Sequence, residues 1–226
     1  MPGRLPEIFL IVFFLTLSPA VSLEAARPLT IVALGDSTTA GAPGFRSPAE
    51  APPDGSGNKE SQYAYWIMKL RPEWKVLNRG VNGERSDQIL KRFQKDALAY
   101  RPEVLIVLAG INDLYQGYPI DEIKRNLADI YRRARKENIR VIACTVLPYN
   151  SASPQVYRNI IKLNNWIRSY STQNKLWFCD TSKAVEDPKR PGTLAGTPDG
   201  LHPNVEGYRK MGDALTAVLA REFSSK

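Results

Sequence analysis

Residues 30–41 have the sequence TIVALGDSTTAG, a short apolar run that ends at Gly35 and is followed by Asp36 and Ser37. An apolar run of this length that stops at a glycine is typical of a buried β-strand. In open α/β sheets, ligands bind just beyond the carboxyl ends of the strands, and Ser37 falls at such a position. Ser37 is therefore the first candidate nucleophile. Because a serine needs a base to take its proton at neutral pH, we expect a base elsewhere in the chain.

The chain has one histidine, His202, in the segment Asp199-Gly200-Leu201-His202-Pro203. A carboxylate three residues before an imidazole can hold one ring nitrogen while the other ring nitrogen faces a serine. Ser37, His202 and Asp199 thus match the nucleophile, base and orienting acid of a serine hydrolase triad. The alternative is a surface or capping histidine just before a helix. That alternative is disfavoured because a Ser/His enzyme needs one histidine, and this chain has only this one.

Length and composition are those of an ordinary globular chain: the 226 residues are 43% hydrophobic and 24% charged, enough for a sizeable core. At the N-terminus, Arg4 precedes the apolar run 8–17, and Ser18-Pro19-Ala20 is a small-x-small cleavage pattern. This pattern indicates a secretory signal peptide in residues 1–25. An uncleaved anchor is the alternative, although the run is shorter than the roughly 20 residues of a membrane span. We expect residues 26–226 to form one domain of an exported protein, periplasmic or secreted.

The formal net charge of +8 favours peripheral contact with an anionic membrane or glycan, with solubility alone as the simpler interpretation. Basic residues lie along helix-like stretches without interleaved aromatics, so we expect no nucleic-acid partner. Cys144 and Cys179 each come late in a predicted strand and lack the spacing of a metal site. Export would permit a disulfide between them, but two buried free thiols are the favoured interpretation. We expect a monomer.

Four further strands and five helices are predicted after the first strand. The strands span residues 74–78, 103–109, 139–146 and 175–179. The helices span residues 62–70, 86–99, 120–138, 155–170 and 205–223, and Asn204 is the predicted N-cap of the last helix. Strands that alternate with helices form a parallel sheet covered on both faces. Polar clusters at 35–37, 80–86, 110–113 and 148–151 each follow a strand, so all four are predicted at the same sheet edge.

Residues 42–61 are rich in proline and glycine and separate the first strand from the first helix. This segment is too long and too polar to be a core element, and loops of this length are usually functional or disordered. Because this loop follows Ser37 directly, it would flank any pocket built there. Tyr63, Tyr65 and Trp66 come next. They could line an acyl groove or stack a sugar, but a helix face packed into the core is the favoured interpretation.

Acyl transfer also needs hydrogen-bond donors for the oxyanion that develops on the substrate carbonyl. The backbone N–H groups of Ser37 and Gly83 and the side-chain amide of Asn112 follow three successive predicted strands. Each is a weak signal alone, because glycine and asparagine also mark turns and helix caps. Their coincidence at one sheet edge predicts an oxyanion hole.

Four blocks of sequence, in this order, carry a resemblance to a known family. They are Gly35-Asp36-Ser37 with Gly41, Gly83 five residues after Asn78, Gly110-x-Asn112-Asp113, and Asp199-x-x-His202-Pro203. From about residue 29 onward the chain resembles the SGNH (GDSL) hydrolases, and most of all their bacterial lysophospholipase and thioesterase branch. The resemblance implies a flavodoxin-like three-layer α/β/α sandwich with a five-stranded parallel sheet, and no metal or organic cofactor.

The resemblance also implies a role for each matching residue: Ser37 as nucleophile, Ser37, Gly83 and Asn112 as oxyanion donors, Asp199 and His202 as the rest of the triad, and Asp36 and Asp113 as structural or positioning residues. The expected activity is that of an exported lysophospholipase- or arylesterase-like enzyme, which hydrolyses small-molecule or lipid esters through an acyl-enzyme. Two alternatives stay open. One is a carbohydrate O-acetylesterase with the same triad, and the other is a non-catalytic module that binds carbohydrate or lipid.

Overall fold

The computed structural model describes Gly3 and residues 28–224. The predicted signal peptide, apart from Gly3, therefore lies outside the described residues. Among the residues described, no helix combines the length and the apolar character that crossing a bilayer requires.

A five-stranded parallel sheet forms the centre of the molecule. In chain order, the strands of the described residues are β1 (Thr30–Gly35), β2 (Phe45–Arg46), β3 (Ser56–Gly57), β4 (Lys75–Gly80), β5 (Val104–Leu108), β6 (Arg140–Cys144) and β7 (Trp177–Cys179). The sheet has the order β4-β1-β5-β6-β7 with parallel pairing, whereas β2 and β3 form a separate antiparallel pair. This is the strand order of flavodoxin-like folds, and it confirms the predicted sheet.

Helices cover both faces of the sheet. They are α1 (Ser37–Ala40), α2 (Tyr63–Leu70), α3 (Ser86–Lys91), α4 (Phe93–Asp96), α5 (Ile111–Tyr115), α6 (Ile120–Lys136), α7 (Pro154–Gln173), α8 (Thr181–Val185) and α9 (Val205–Ser224), with 3-10 turns at Lys59–Ser61 and Leu98–Tyr100. Helices α2 and α9 pack on the face that contains Ile31 and Ala33 of β1, and α3, α4, α6 and α7 on the face that contains Val32 and Leu34. All four β1 side chains are fully buried, because a strand covered on both faces is apolar throughout.

The prediction of one helix over residues 86–99 is wrong. The chain forms α3 and α4 there, separated at Arg92, and then a 3-10 turn at Leu98–Tyr100. The guanidinium of Arg92 donates to the backbone oxygens of Gly35 and Arg79, each at 2.8 Å, and so holds this point of the chain against the sheet edge. The expected apolar face survives the break, since it still buries Ile89, Phe93 and Ala97.

The insert, residues 42–61, is more closely packed than its proline and glycine content predicts. It contains the β2–β3 pair, and the side chain of Phe45 is almost fully buried. The insert also contacts the edge strand β4, where the hydroxyl of Ser47 donates to the backbone oxygen of Gly80 at 2.5 Å. Part of this segment is thus a core element, which corrects the sequence-based expectation.

Tyr63 and the two cysteines belong to the interior. Tyr63 is fully buried and donates to the Thr39 hydroxyl at 3.1 Å, as the core interpretation predicts, whereas Tyr65 and Trp66 are half-buried. Cys144 and Cys179 end neighbouring strands at paired positions and are buried free thiols. Burial raises the pKa of Cys179 to about 12 and that of Cys144 well above its ordinary value, so both remain protonated and unreactive.

Candidate active site

The structure brings Ser37, His202 and Asp199 into one hydrogen-bonded line. Ser37 begins α1 directly after β1, and its Oγ lies 2.9 Å from Nε2 of His202, 165 residues away in sequence. The other ring nitrogen of His202, Nδ1, lies 2.7 Å from Oδ2 of Asp199. Ser37 and His202 are only 8% and 9% exposed. A serine in this arrangement has an acceptor for its proton within direct reach.

Asp199 is oriented by the backbone as well as by the imidazole. Its Oδ1 accepts the N–H groups of Leu201 at 2.9 Å and His202 at 2.8 Å, which fixes the carboxylate within a tight local turn. Partial burial acts to raise the pKa of Asp199, but the hydrogen bonds from the His202 side chain and from these two N–H groups lower the pKa to about 2. The carboxylate is therefore ionised at neutral pH, where its charge stabilises a protonated imidazole.

The segment before His202 is anchored to the loop that follows β6. The N–H of Asn150 donates to the backbone oxygen of Gly200 at 2.7 Å, and Oδ1 of Asn150 accepts the N–H of Leu194 at 2.8 Å. On the other side of His202, Oδ1 of Asn204 accepts the N–H of Gly207 at 2.9 Å, which confirms Asn204 as the cap of α9. These contacts hold the histidine from both sides.

The predicted oxyanion donors lie at the same carboxyl edge of the sheet. Gly83 follows β4, and Asn112 lies in the first turn of α5, which follows β5. The Asn112 side chain donates from Nδ2 to the backbone oxygen of Glu84 at 2.9 Å and so joins α5 to the turn that contains Gly83. Within the described residues, the N–H groups of Ser37 and Gly83 have no protein acceptor. Both therefore remain available to a bound substrate.

Asp36 and Asp113 cap helices beside the site. Oδ1 of Asp36 accepts the N–H of Thr38 at 3.0 Å and caps α1, while its buried Oδ2 has no partner among the described residues. Burial, together with the negative charge of Asp113, raises the pKa of Asp36 to about 7. Asp113 accepts both the N–H and the hydroxyl of Ser86, at 2.9 and 2.6 Å, at the start of α3. These contacts favour the structural roles predicted for both carboxylates.

The raised pKa of Asp36 predicts a pH-dependent stability. The folded chain binds the Asp36 proton more tightly than the unfolded chain, in which the pKa is near 3.9. The resulting stabilisation is fully present below about pH 4. It falls by up to about 1.4 kcal/mol per pH unit as the pH rises from there to about 7, above which it is lost. Asp36→Asn keeps the acceptor for Thr38 but does not titrate. We therefore expect a smaller loss of unfolding free energy between pH 4 and 8 in this variant, measured by urea denaturation.

The matched control for this prediction is Asp54→Asn, at an exposed aspartate of the insert. Its unfolding free energy should depend on pH as that of the wild-type chain does. An Asp36→Asn variant with the full wild-type pH dependence would contradict the assignment.

Arg92 is a site residue that sequence analysis missed. Besides the backbone oxygens of Gly35 and Arg79, its guanidinium contacts the carboxylate of Glu84 at 2.5 Å. It therefore ties together the carboxyl ends of β1 and β4, the two strands that precede Ser37 and Gly83, and the turn after β4. In the sequence, Arg92 is one basic residue among several in a predicted helix, and no local pattern distinguishes it.

Two cavities among the described residues lie away from Ser37. One, of about 370 Å³, is formed between α7 and α8, and the other, of about 380 Å³, between the insert, α2 and β4. Neither is lined by Ser37 or His202. In the part of the chain described, no three His, Cys, Asp or Glu side chains come together as a metal site requires.

Comparison with known proteins identifies the family. The model of the GDSL-like lipase/acylhydrolase family matches residues 33–210, a span that includes Ser37, Gly83, Asn112, Asp199 and His202. The chain belongs to this family. The resemblance predicted from the four sequence blocks is thereby confirmed, and membership places the chain among hydrolases that act on ester bonds.

Three relatives of this GDSL-family chain have names that bear on function. The chain is 29% identical over 146 residues to the uncharacterized lipoprotein YqeF of Bacillus subtilis (strain 168). The match covers 61% of this chain but only 56% of the length of YqeF. It is 22% identical over 166 residues to an acetylxylan esterase of Geobacillus stearothermophilus, covering 66% of this chain and 74% of that enzyme. It is 25% identical over 170 residues to thioesterase 1/protease 1/lysophospholipase L1 of Escherichia coli (strain K12), covering 70% of each.

A solved structure supports the fold assignment. The structure of Axe2, an acetylxylan esterase from Geobacillus stearothermophilus, superimposes with a TM-score of 0.69 over 84% of this chain and 94% of that one. The sequence identity is 18%, so the similarity establishes the fold of this GDSL-family chain and nothing finer.

Proposed function

We propose that this chain is an exported serine esterase that uses Ser37 as nucleophile, His202 as base and Asp199 as the residue that orients the imidazole. The observation that carries the proposal is the hydrogen-bonded line from Asp199 through His202 to Ser37, with distances of 2.7 and 2.9 Å. Export is supported by the signal-like pattern of residues 1–25 and by a relative named as a lipoprotein. Peripheral contact with an anionic membrane or glycan, and a monomeric state, stay predictions.

The proposed reaction proceeds in two halves. Oγ of Ser37 attacks the ester carbonyl carbon while His202 takes the hydroxyl proton, which produces a tetrahedral intermediate with a negatively charged oxygen. The N–H groups of Ser37 and Gly83 and the Asn112 amide donate to that oxygen. His202 then gives the proton to the departing alcohol as the carbon–oxygen bond breaks. Water, deprotonated by His202, attacks the acyl-enzyme carbonyl; His202 then returns the proton to Oγ of Ser37 as the acyl–oxygen bond breaks, which releases the carboxylic acid and free Ser37.

Exposed aromatic side chains near Asn112 support an apolar acyl group as the substrate. Tyr115, three residues beyond Asn112 in α5, is 64% exposed, and its ring lies edge-on to that of Tyr149 with centroids 6.0 Å apart. Tyr118 is exposed in the loop after α5. These exposed rings, close in sequence to the candidate oxyanion donor Asn112, supply apolar surface that an acyl group can contact. Together with the relative named as a thioesterase and lysophospholipase, they favour a lysophospholipase- or arylesterase-like activity.

A second candidate is a carbohydrate O-acetylesterase. The observation that favours it is that the two cavities described above, of about 370 and 380 Å³, are lined by neither Ser37 nor His202. A long acyl chain is best bound in a deep apolar cavity, whereas an acetyl group needs little enclosed space. One relative is named an acetylxylan esterase, in agreement with this alternative.

Hydrolysis of p-nitrophenyl esters from acetate to palmitate tests the proposal. We expect kcat/KM to be highest for a medium-chain ester, because exposed Tyr115 and Tyr118 supply apolar surface for an acyl chain, whereas neither of the two cavities described above is lined by Ser37 or His202. Activity confined to the acetate ester would contradict the first candidate and favour the second, which acetylated oligosaccharides would then test. A chain that hydrolyses none of these esters, and whose serine does not react with a fluorophosphonate, would contradict both and favour the non-catalytic binding module.

A further inference from the structure

The turn that contains Gly83 is only weakly held by its own backbone. Its closing hydrogen bond, from the N–H of Glu84 to the oxygen of Val81, is long at 3.5 Å. Gly83 has φ of +74°, a region that glycine adopts readily, and no atom lies within 4 Å of the position a Cβ would occupy. The direction of the Gly83 N–H therefore depends on contacts from outside the turn.

The insert supplies two such contacts. The hydroxyl of Ser47 donates to the backbone oxygen of Gly80, just before the turn, and Oε1 of Glu50 accepts the N–H of Asn82, inside the turn, at 3.1 Å. Ser47 and Glu50 belong to one local turn of their own, since the N–H of Glu50 donates to the backbone oxygen of Ser47 at 3.0 Å. They therefore bind the Gly83 turn as a unit.

After Gly83, the turn is held through Glu84. Its backbone oxygen accepts the amide of Asn112, and its carboxylate pairs with Arg92. Glu50 instead holds the N–H of Asn82, in the peptide directly before the one that carries the Gly83 N–H. The turn is thus fixed by the insert on one side and by α5 and Arg92 on the other.

The second carboxylate oxygen of Glu50 shows that the contact with Asn82 is achieved at a cost in stability. Oε2 of Glu50 is buried and has no hydrogen-bond partner among the described residues. Burying a carboxylate oxygen without a partner is unfavourable, so stability alone does not account for a glutamate here.

We propose that Glu50 is a positioning residue for ester hydrolysis: by accepting the N–H of Asn82, its carboxylate aims the N–H of Gly83 at the oxyanion. This inference rests on the proposed function and gives the insert a part in catalysis. Glu50 acts through Asn82 and Gly83 and has no direct role with the substrate. The contact requires a hydrogen-bond acceptor, and the negative charge is dispensable.

Kinetics of Glu50→Ala and Glu50→Gln, with p-nitrophenyl acetate, test the inference. Removing a whole oxyanion donor lowers kcat by about 10²–10³-fold. A donor that remains but is poorly aimed should lose part of that effect, so we expect kcat to fall about tenfold in Glu50→Ala with KM changed less than about twofold. The glutamine amide oxygen still accepts the Asn82 N–H, so Glu50→Gln should retain kcat within about twofold. Asp54→Ala, at an exposed acidic residue of the same insert, is the matched control.

A boronic acid inhibitor supplies a second readout. Its boron forms a tetrahedral adduct with Oγ of Ser37 and places an oxygen where the oxyanion develops. We expect its inhibition constant to rise in Glu50→Ala by the same factor by which kcat/KM falls, a change that a merely structural role would not produce. If the alanine variant does not fold, Glu50→Asp replaces it, because the shorter side chain cannot reach Asn82. The same loss of kcat is then expected.

The outcomes separate this inference from the function on which it rests. Unchanged kcat in Glu50→Ala, or in Glu50→Asp where that variant is used, would overturn the inference. An equal loss of kcat in Glu50→Gln and Glu50→Ala would also overturn it, because the retained acceptor would then have no effect. A wild-type chain that fails to hydrolyse any ester overturns the proposed function itself, whereas an active wild-type chain with an unaffected Glu50 variant overturns the inference alone.

Discussion

Replacing Ser37 with alanine should abolish ester hydrolysis, with kcat/KM reduced by about a thousandfold or more. The substitution removes Oγ, the atom that attacks the ester carbonyl, so no acyl-enzyme can form. The fold should persist, because the Ser37 side chain makes one hydrogen bond, to His202, worth about 1 kcal/mol. In a chain of this size such a loss lowers Tm by about 2–4 °C.

The experiment compares p-nitrophenyl ester hydrolysis, fluorophosphonate labelling and thermal unfolding of the wild-type chain and Ser37→Ala. Ser56→Ala, at an exposed serine of the insert, is the matched control and should keep wild-type values in all three measurements. Turnover or labelling that persists in folded Ser37→Ala would rule out Ser37 as nucleophile. Loss of both in the Ser56→Ala control would show that another serine is required.

Replacing His202 with glutamine should lower kcat/KM by about 10³–10⁴-fold. Glutamine still offers a polar group near Ser37 but cannot take up a proton at neutral pH, so the serine remains a weak nucleophile. The carboxylate of Asp199 keeps its backbone bonds to Leu201 and residue 202, and the local turn should survive. Activity near the wild-type level in a folded His202→Gln variant would contradict the proposed triad.

The wild-type pH profile gives an independent check on His202. Activity should rise with pH through one ionisation, because the imidazole must be neutral to act as base. Since the chain has a single histidine, that ionisation can be followed by NMR without assignment, and its midpoint should coincide with that of kcat/KM. Burial raises the pKa of Asp36 to about 7, but the Asp36→Asn variant should keep the same kinetic midpoint. A kcat/KM that does not rise with pH would contradict the role of His202 as base.

Local sequence patterns are sufficient to predict the order of the strands along the chain and the edge of the sheet at which the site lies. Each of the five sheet strands is a short run between helical segments, and its pattern depends on its own residues and their burial. Because parallel strands share a direction, polar clusters that follow them must meet at one edge. This rule alone predicts that Ser37, Gly83 and Asn112 lie at the same edge of the sheet.

Contacts between distant segments cannot be predicted in the same way. The hydrogen bonds of Arg92 reach backbone oxygens 57 and 13 residues away, and the bond from Asn82 to Glu50 joins positions 32 apart. No local pattern specifies such partners, because an arginine in a helix and a glutamate in a loop are ordinary solvent-exposed residues. The burial of Phe45, in a segment rich in proline and glycine, escapes prediction for the same reason.

The sequence by itself determined the three-layer architecture, the family and the candidate triad, because those depend on hydrophobic periodicity, on strand direction and on short motifs with a single histidine. Only the tertiary structure decided that His202 lies 2.9 Å from Ser37, that Asp36 is buried beside the site and that the insert holds the Gly83 turn. These properties depend on distances and burial between segments far apart in the chain, which exist only once the sheet edge and its loops have packed together.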